Sequence, residues 1–183
     1  MSVSTSEAVR EHSFVTRLKR LVADGDNGAL AALRRGLGKP PGSVAGMHRY
    51  VLPWLDADER GDQWREDVFY LVAALFAFWH QGKDGSAANA PPNIGASLSQ
   101  LRDESGSIEK RFAAMLNAHY EDVAQHLRHV IGLLKSKDVA VDWSRLLRDL
   151  RGWDRDDRKV QRDWARGFWR RAEDVESEAV ANE

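Results

Sequence analysis

Apolar side chains recur every three to four residues along most of this chain, and no stretch alternates like a convincing strand. Phe14, Leu18, Leu21 and Val22 share one helical face, with Ser13 placed to cap it. The run DGDNG ends that helix. Asn27 is placed to cap a second, which turns Leu30, Leu33 and Leu37 inward. GKPPG stops it, because proline cannot continue a helix and glycine accepts a left-handed cap. YVLPWLDADERGD reads as an extended, proline-punctuated stretch. Gln63 to His80 then forms a long helix, apolar almost all round, which marks it as the core of an N-terminal unit.

Gln81 to Gly95, QGKDGSAANAPPNIG, has no apolar period and reads as a mobile linker. Beyond it the stripes resume. They are Ile108, Phe112, Met115 and Leu116, then Val123, Leu127, Val130, Ile131 and Leu134. Trp143, Leu146, Leu147, Leu150 and Trp153 form a third stripe, and Val160, Trp164 and Phe168 a fourth. The expected fold is all-α, with two small helical subdomains joined by a flexible loop. Residues 1–95 form the N-terminal subdomain, ending in the linker 81–95. Residues 96–172 form a C-terminal bundle, and 173–183 an acidic tail expected to be disordered. No solenoid period repeats along the chain.

Composition narrows the class. Hydrophobic residues make up 43% and charged residues 30% of 183, the balance of a soluble globular protein. The absence of cysteine excludes disulfides and thiolate metal sites. The first residues lack a signal-peptide pattern, and the most apolar run, Val68 to Trp79, is shorter than the ~20 residues that span a bilayer. A cytoplasmic protein without a membrane segment is expected.

Net charge is −1, but it is unevenly spread. From Arg145 to Arg171, ten basic side chains face five acidic ones. The tail that follows carries Glu173, Asp174, Glu176, Glu178 and Glu183. Local fields rather than net charge decide what a surface attracts, so a polyanionic partner remains open.

On the Trp143–Trp153 helix the tryptophans fall on the inward face. Arg145, Arg148 and Arg151 fall opposite, as a solvated ridge with pairs such as Arg145–Asp149 or as a basic surface. In the last helix Trp169 projects with Arg158, Arg162 and Arg166. It has three readings: a base-stacking ring, an anchor for a protein partner, or a ring packed on its own chain with arginine against it.

Further basic clusters lie upstream. Arg34 and Arg35 precede Lys39 at a helix C-terminus, where the dipole favours cations. Ser107 is placed to cap a helix whose first turns carry Lys110 and Arg111, the better phosphate-contact candidate. Arg128 and Lys135 are seven apart, near one angular position, and Lys137 follows in the loop. His126 and His129 could share an ion, but no third ligand is in register, so no metal is expected. Phosphate-binding loops and nucleophile elbows are absent, and paired carboxylates such as Asp156–Asp157 fit helix starts. Neither a catalytic residue nor a cofactor is expected.

Several blocks in order carry a resemblance: LAALRRGLGKPPG, HRYVLPWL, DVFYLVAALFAFW, SLSQLRDESGSIEKRF, HLRHVIGLLKSK and VDWSRLLRDLRGWDRDDRKVQRDWARGFW. From about Phe14 to Trp169 the chain resembles the CasB family, the small subunit of the type I-E CRISPR Cascade complex. The resemblance implies a non-enzymatic, all-helical protein used in antiviral defence. It further implies two copies head to tail, touching the repeated backbone subunits and the large subunit. It also implies a basic face that helps hold the target strand paired to guide RNA and the displaced single-stranded DNA of the R-loop. By block, it places the basic positions on Arg34, Arg35, Lys110, Arg111, Arg128, Lys135, Lys137, Arg148 and Arg151. Nothing is carried over to Lys83–Gly95 or to the acidic tail. The rival reading is a scaffold that docks acidic protein surfaces and touches no nucleic acid.

Overall fold

The computed structural model describes residues 2–55, 62–81, 90–102 and 106–169, with side chains from Ser13 onward. Among them are nine α-helices, one 3-10 turn and no strand. The helices are α1 Ser2–Ala23, α2 Asn27–Arg34, α3 Ala45–Val51, α4 Gln63–Trp79 and α5 Ile94–Ser99. They continue with α6 Ser107–Asn117, α7 Tyr120–Ser136, α8 Trp143–Arg151 and α9 Lys159–Trp169; the 3-10 turn is Leu52–Trp54. The all-helical expectation holds. Residues 82–89 of the expected linker, and the acidic tail, lie outside the described residues.

Three caps differ from the sequence reading. Helix α1 begins at Ser2, so Ser13 lies inside it rather than at its start. Nothing before Ser13 breaks a helix, and VSTSEAVREH lets the turn propagate toward the N-terminus. Asp26, not Asn27, caps α2, accepting the Ala29 N–H at 2.8 Å. Gly106 caps α6 with φ +64°, and Ser107 is the first helical residue. A left-handed cap costs glycine little, so the chain turns there without a side-chain cap.

The stripes fold inward as their periods dictate. Phe14, Leu18, Leu21, Leu33, Phe112, Met115, Leu127, Ile131, Leu147, Trp164 and Phe168 are all at most 2% exposed. Helix α4 buries residues around nearly its whole girth, from Trp64 to Trp79. It packs on α2, α3, α7 and α8, while α1 packs on both α2 and α8. One hydrophobic cluster therefore draws on the helices before and after residues 82–89.

The tryptophans explain much of this union. Each buried indole hides a large ring and must still place one N–H. Trp64 of α4 donates to the Leu150 carbonyl of α8 at 2.9 Å. Trp79 donates to Val139 O at 3.3 Å and Trp153 to Ala118 O at 3.1 Å. Trp164 donates to Asp149 Oδ2 at 2.7 Å. Asp149 also accepts from Arg145 Nε at 2.7 Å. Burial pushes the Asp149 carboxyl above the ordinary carboxylate range, against the pull of these two donors. The Arg145–Asp149 pair expected on a solvated ridge thus has a buried acid, 5% exposed, because Trp164 of the next helix covers it.

Helix α5 is short and was not visible in the periodicity. Asn93 caps it, accepting the Ala96 N–H at 2.9 Å, and donates to Asp163 O at 3.2 Å. Ile94 and Gly95, the end of the expected linker, are buried against α9. A Cβ on Gly95 would stand 1.9 Å from the Trp164 carbonyl oxygen.

Candidate nucleic-acid interface

The basic residues singled out in the sequence divide into those gathered on either side of α7 and those spent elsewhere. On one side, Arg34 ends α2 and Arg35 follows it, the first half-buried and the second exposed. The chain then turns through Gly36 to Pro41. Gly38 adopts φ +74°, and the Arg128 guanidinium from α7 lies directly over it. A Cβ at Gly38 would come within 2.5 Å of Arg128 Nη1. The loop, Lys39, Tyr70, Gln125 and Arg128 line a groove of about 410 Å³. Lys39 and Arg128 therefore face one hollow, beside the end of α2 where the helix dipole is negative.

On the other side, Lys110 and Arg111 are exposed on the first two turns of α6. Arg111 stands at the lip of a cavity of about 360 Å³ between α6 and α7, floored by Leu98, Ile108, Phe112, Val130 and Leu133. His126 and His129 complete its rim. His129 lines both hollows, so α7 is a ridge with basic groups on each flank. The two histidines, weighed above only as a metal pair, belong to this surface. The signal for them was their i, i+3 spacing beside Arg128.

Several other cations have internal duties. Lys135 Nζ donates to the Phe78 carbonyl at 2.7 Å and sits 4.8 Å over the Phe78 ring. It ties α7 to the last turn of α4, at a carbonyl that also accepts the Gln81 N–H at 3.3 Å. Lys137, the residue ending α7, is exposed. Arg148 of α8 is exposed and Arg151 half-buried. Arg158 donates to the Leu116 carbonyl. Arg162 donates to Asp157 O at 2.7 Å, and Arg166 to Asp163 Oδ1 at 2.6 Å. Trp169 remains 40% exposed. Its indole donates to Glu109 Oε1 at 3.2 Å, and its ring lies 5.4 Å from Phe112.

Comparison with known proteins decides the family. The family model described as CRISPR-associated protein Cse2 matches residues 29–169. The chain belongs to the Cse2 family. A CRISPR-associated protein Cse2 of Thermus thermophilus is 37% identical over 160 residues, 85% of this chain and 88% of the relative. The crystal structure of CasB from Thermus thermophilus matches with a TM-score of 0.71 at 33% identity, over 87% of this chain and 97% of that one. A chain of a CRISPR RNA-guided surveillance complex matches with a TM-score of 0.79 at 30% identity, over 94% of this chain and 99% of that one. The resemblance to CasB seen in the sequence is thereby borne out, and the Cse2 fold is the one observed.

Proposed function

We propose that this Cse2-family protein is a non-catalytic small subunit of a cytoplasmic CRISPR surveillance complex. It holds nucleic acid on the basic flanks of α7, stabilising the target and displaced strands of the R-loop. The observation that carries this reading is the match, along nearly its whole length, to a chain of an RNA-guided surveillance complex. Other subunits of the complex and a second copy of this chain are its protein partners.

The physical mechanism is electrostatic. Lys110 and Arg111 on one flank, and Arg34, Arg35, Lys39 and Arg128 on the other, replace counterions along a phosphate backbone. Such contacts tolerate any sequence, because pairing with the guide reads sequence and protein supports the backbone. Opening the duplex and forming the hybrid nearly balance. A few kcal/mol of backbone contacts therefore moves the population of open R-loop by about two orders of magnitude.

The test is fluorescence anisotropy of single-stranded DNA, single-stranded RNA and duplex DNA with the protein at low and physiological salt. R-loop lifetime is measured in parallel in the assembled complex. The Lys110→Glu/Arg111→Glu variant is expected to weaken binding, to flatten the salt slope by roughly one to two units and to shorten R-loop lifetime. An unchanged lifetime removes this pair from the site.

The scaffold reading draws on the exposed apolar groups, Leu52 at 46% and Trp169 at 40%, which suit protein contacts. It predicts an isolated protein that ignores single-stranded DNA at any salt and subunit contacts that survive nuclease.

A further inference from the structure

The cavity between α6 and α7 joins two chemistries at one opening. Leu98 of α5, Ile108 and Phe112 of α6, and Val130 and Leu133 of α7 make its floor. Arg111, His126 and His129 stand at its rim, and no acidic side chain lines it. Its volume of about 360 Å³ is at the small end of the range for specific ligand sites, roughly 300–1,000 Å³. An occupant that uses the whole cavity has a compact apolar body and one anionic group. A guanidinium only donates hydrogen bonds, so that group is an acceptor such as a carboxylate.

A nucleic-acid strand meets only half of this. Its phosphates suit Arg111 at the lip. An unstacked base inside would need an aromatic face to stack on and partners for its polar edges. The floor supplies neither. Four of its side chains are aliphatic, and Phe112 is fully buried and stacked on Phe168, with ring centroids 4.4 Å apart. A base held at the rim by His126 or His129 would leave the floor uncovered.

An acidic protein segment meets all of it. On one helical face, a leucine- or phenylalanine-sized side chain and a carboxylate three or four residues away stand about 5–6 Å apart. The apolar group enters the cavity while the carboxylate reaches the rim. The neighbouring surface has the same character. Phe112 also packs on Trp169 at 5.4 Å, and Trp169 is exposed. Tryptophan is enriched among the residues that dominate protein interfaces.

We infer that the α6–α7 cavity is a socket for a protein partner: an acidic segment of a neighbouring subunit seats one apolar side chain there and pairs its carboxylate with Arg111. This rests on the reading of the chain as a subunit of a larger complex. The socket separates two adjacent cations that the sequence presents as a pair. Arg111 lines the cavity and serves the partner, whereas Lys110 does not line it and stays with the nucleic-acid flank.

The test follows the full-length chain into a complex assembled from the other subunits. The readout is the concentration at which the labelled chain half-saturates that complex. Ala114 lines the cavity from an exposed position on α6, so Ala114→Phe fills the opening and leaves the core intact. Arg111→Glu, also at an exposed position, is the second variant. Each is expected to raise the half-saturating concentration about tenfold, and Lys110→Glu no more than about twofold. Unaltered incorporation of Ala114→Phe and Arg111→Glu overturns the socket. The isolated Ala114→Phe protein is expected to keep its affinity for single-stranded DNA within about twofold. A loss of DNA affinity as large as the loss of incorporation assigns the cavity to a base and overturns the proposal. A loss confined to self-association, read by sedimentation velocity, assigns it to a second copy and likewise overturns it. Failure of the unaltered chain to join the complex defeats the subunit reading itself, and the socket with it.

Discussion

Gly95 of α5 touches Trp164 of α9 through backbone: the glycine Cα faces the tryptophan carbonyl so closely that one added carbon would overlap it, at 1.9 Å. The reverse side of the crossing is equally tight. A Cβ on Gly167 would stand 2.6 Å from Asn93 Oδ1 and 3.0 Å from the Ala96 nitrogen. Backbone atoms cannot rotate away as a long side chain can. Gly95→Ala is therefore expected to force α5 and α9 apart and destabilise the protein by about 2–4 kcal/mol. Thermal or denaturant unfolding measures this. A loss below about 0.5 kcal/mol refutes the tight crossing.

Gly38, in the groove, and Gly106, the cap of α6, share a left-handed backbone and differ in what surrounds them. Both have positive φ, +74° and +64°. A Cβ on Gly106 meets nothing within 4 Å, whereas one on Gly38 meets the Arg128 guanidinium. Gly106→Ala should cost only backbone strain, about 1–2 kcal/mol. Gly38→Ala should add a displaced Arg128 and so also weaken single-stranded DNA binding on that flank. A DNA affinity of Gly38→Ala equal to that of the unaltered chain would remove Arg128 from the interface.

Lys135 and Lys137 were alike in sequence and differ in use. Lys135→Ala loses the hydrogen bond to Phe78 O, the ring contact and a half-buried stem. A cost of about 1–2 kcal/mol is expected. Lys137→Ala, at an exposed helix end, should stay within about 0.5 kcal/mol of the unaltered chain. Denaturant midpoints of the two variants settle it, and a neutral Lys135→Ala would show the tie to α4 to be unimportant.

Asp149 gives a pH prediction. Its folded pKa is raised by burial, above the ordinary value of about 3.9 that the unfolded chain keeps. Between that value and the folded midpoint the folded state binds more protons than the unfolded one. The contribution of Asp149 to stability therefore grows as pH falls through this window and is constant below it. Asp149→Asn removes the titration but leaves an acceptor for Trp164. The difference in stability between the two proteins, followed from pH 7 to 3.5, should narrow or widen only across that window, in favour of the aspartate as pH falls. The opposite slope would show that the Arg145 and Trp164 hydrogen bonds outweigh burial.

Helix periods were legible because they follow from one local rule. Phe14–Leu18–Leu21, Trp143–Leu146–Leu147–Leu150 and Val160–Trp164–Phe168 each mark a face by spacing alone, and all but the half-buried Val160 are buried. Lys110 and Arg111 were legible as exposed cations for the same reason. Helix α5 was not, since six residues complete fewer than two turns and show no stripe. Asn93 three residues before Ala96 was its one signal, and the two preceding prolines masked it as loop.

The sequence by itself determined the all-helical class, the inward faces, the crowding of cations and the family, because each depends on residues near one another in the chain or on their order. Only the tertiary structure decided which cations meet. Arg128 reaches Gly38 across ninety residues, Lys135 is tied to Phe78, and Trp169 rests on Glu109. Helix packing brings those pairs together, and periodicity within a single helix carries no information about its neighbour.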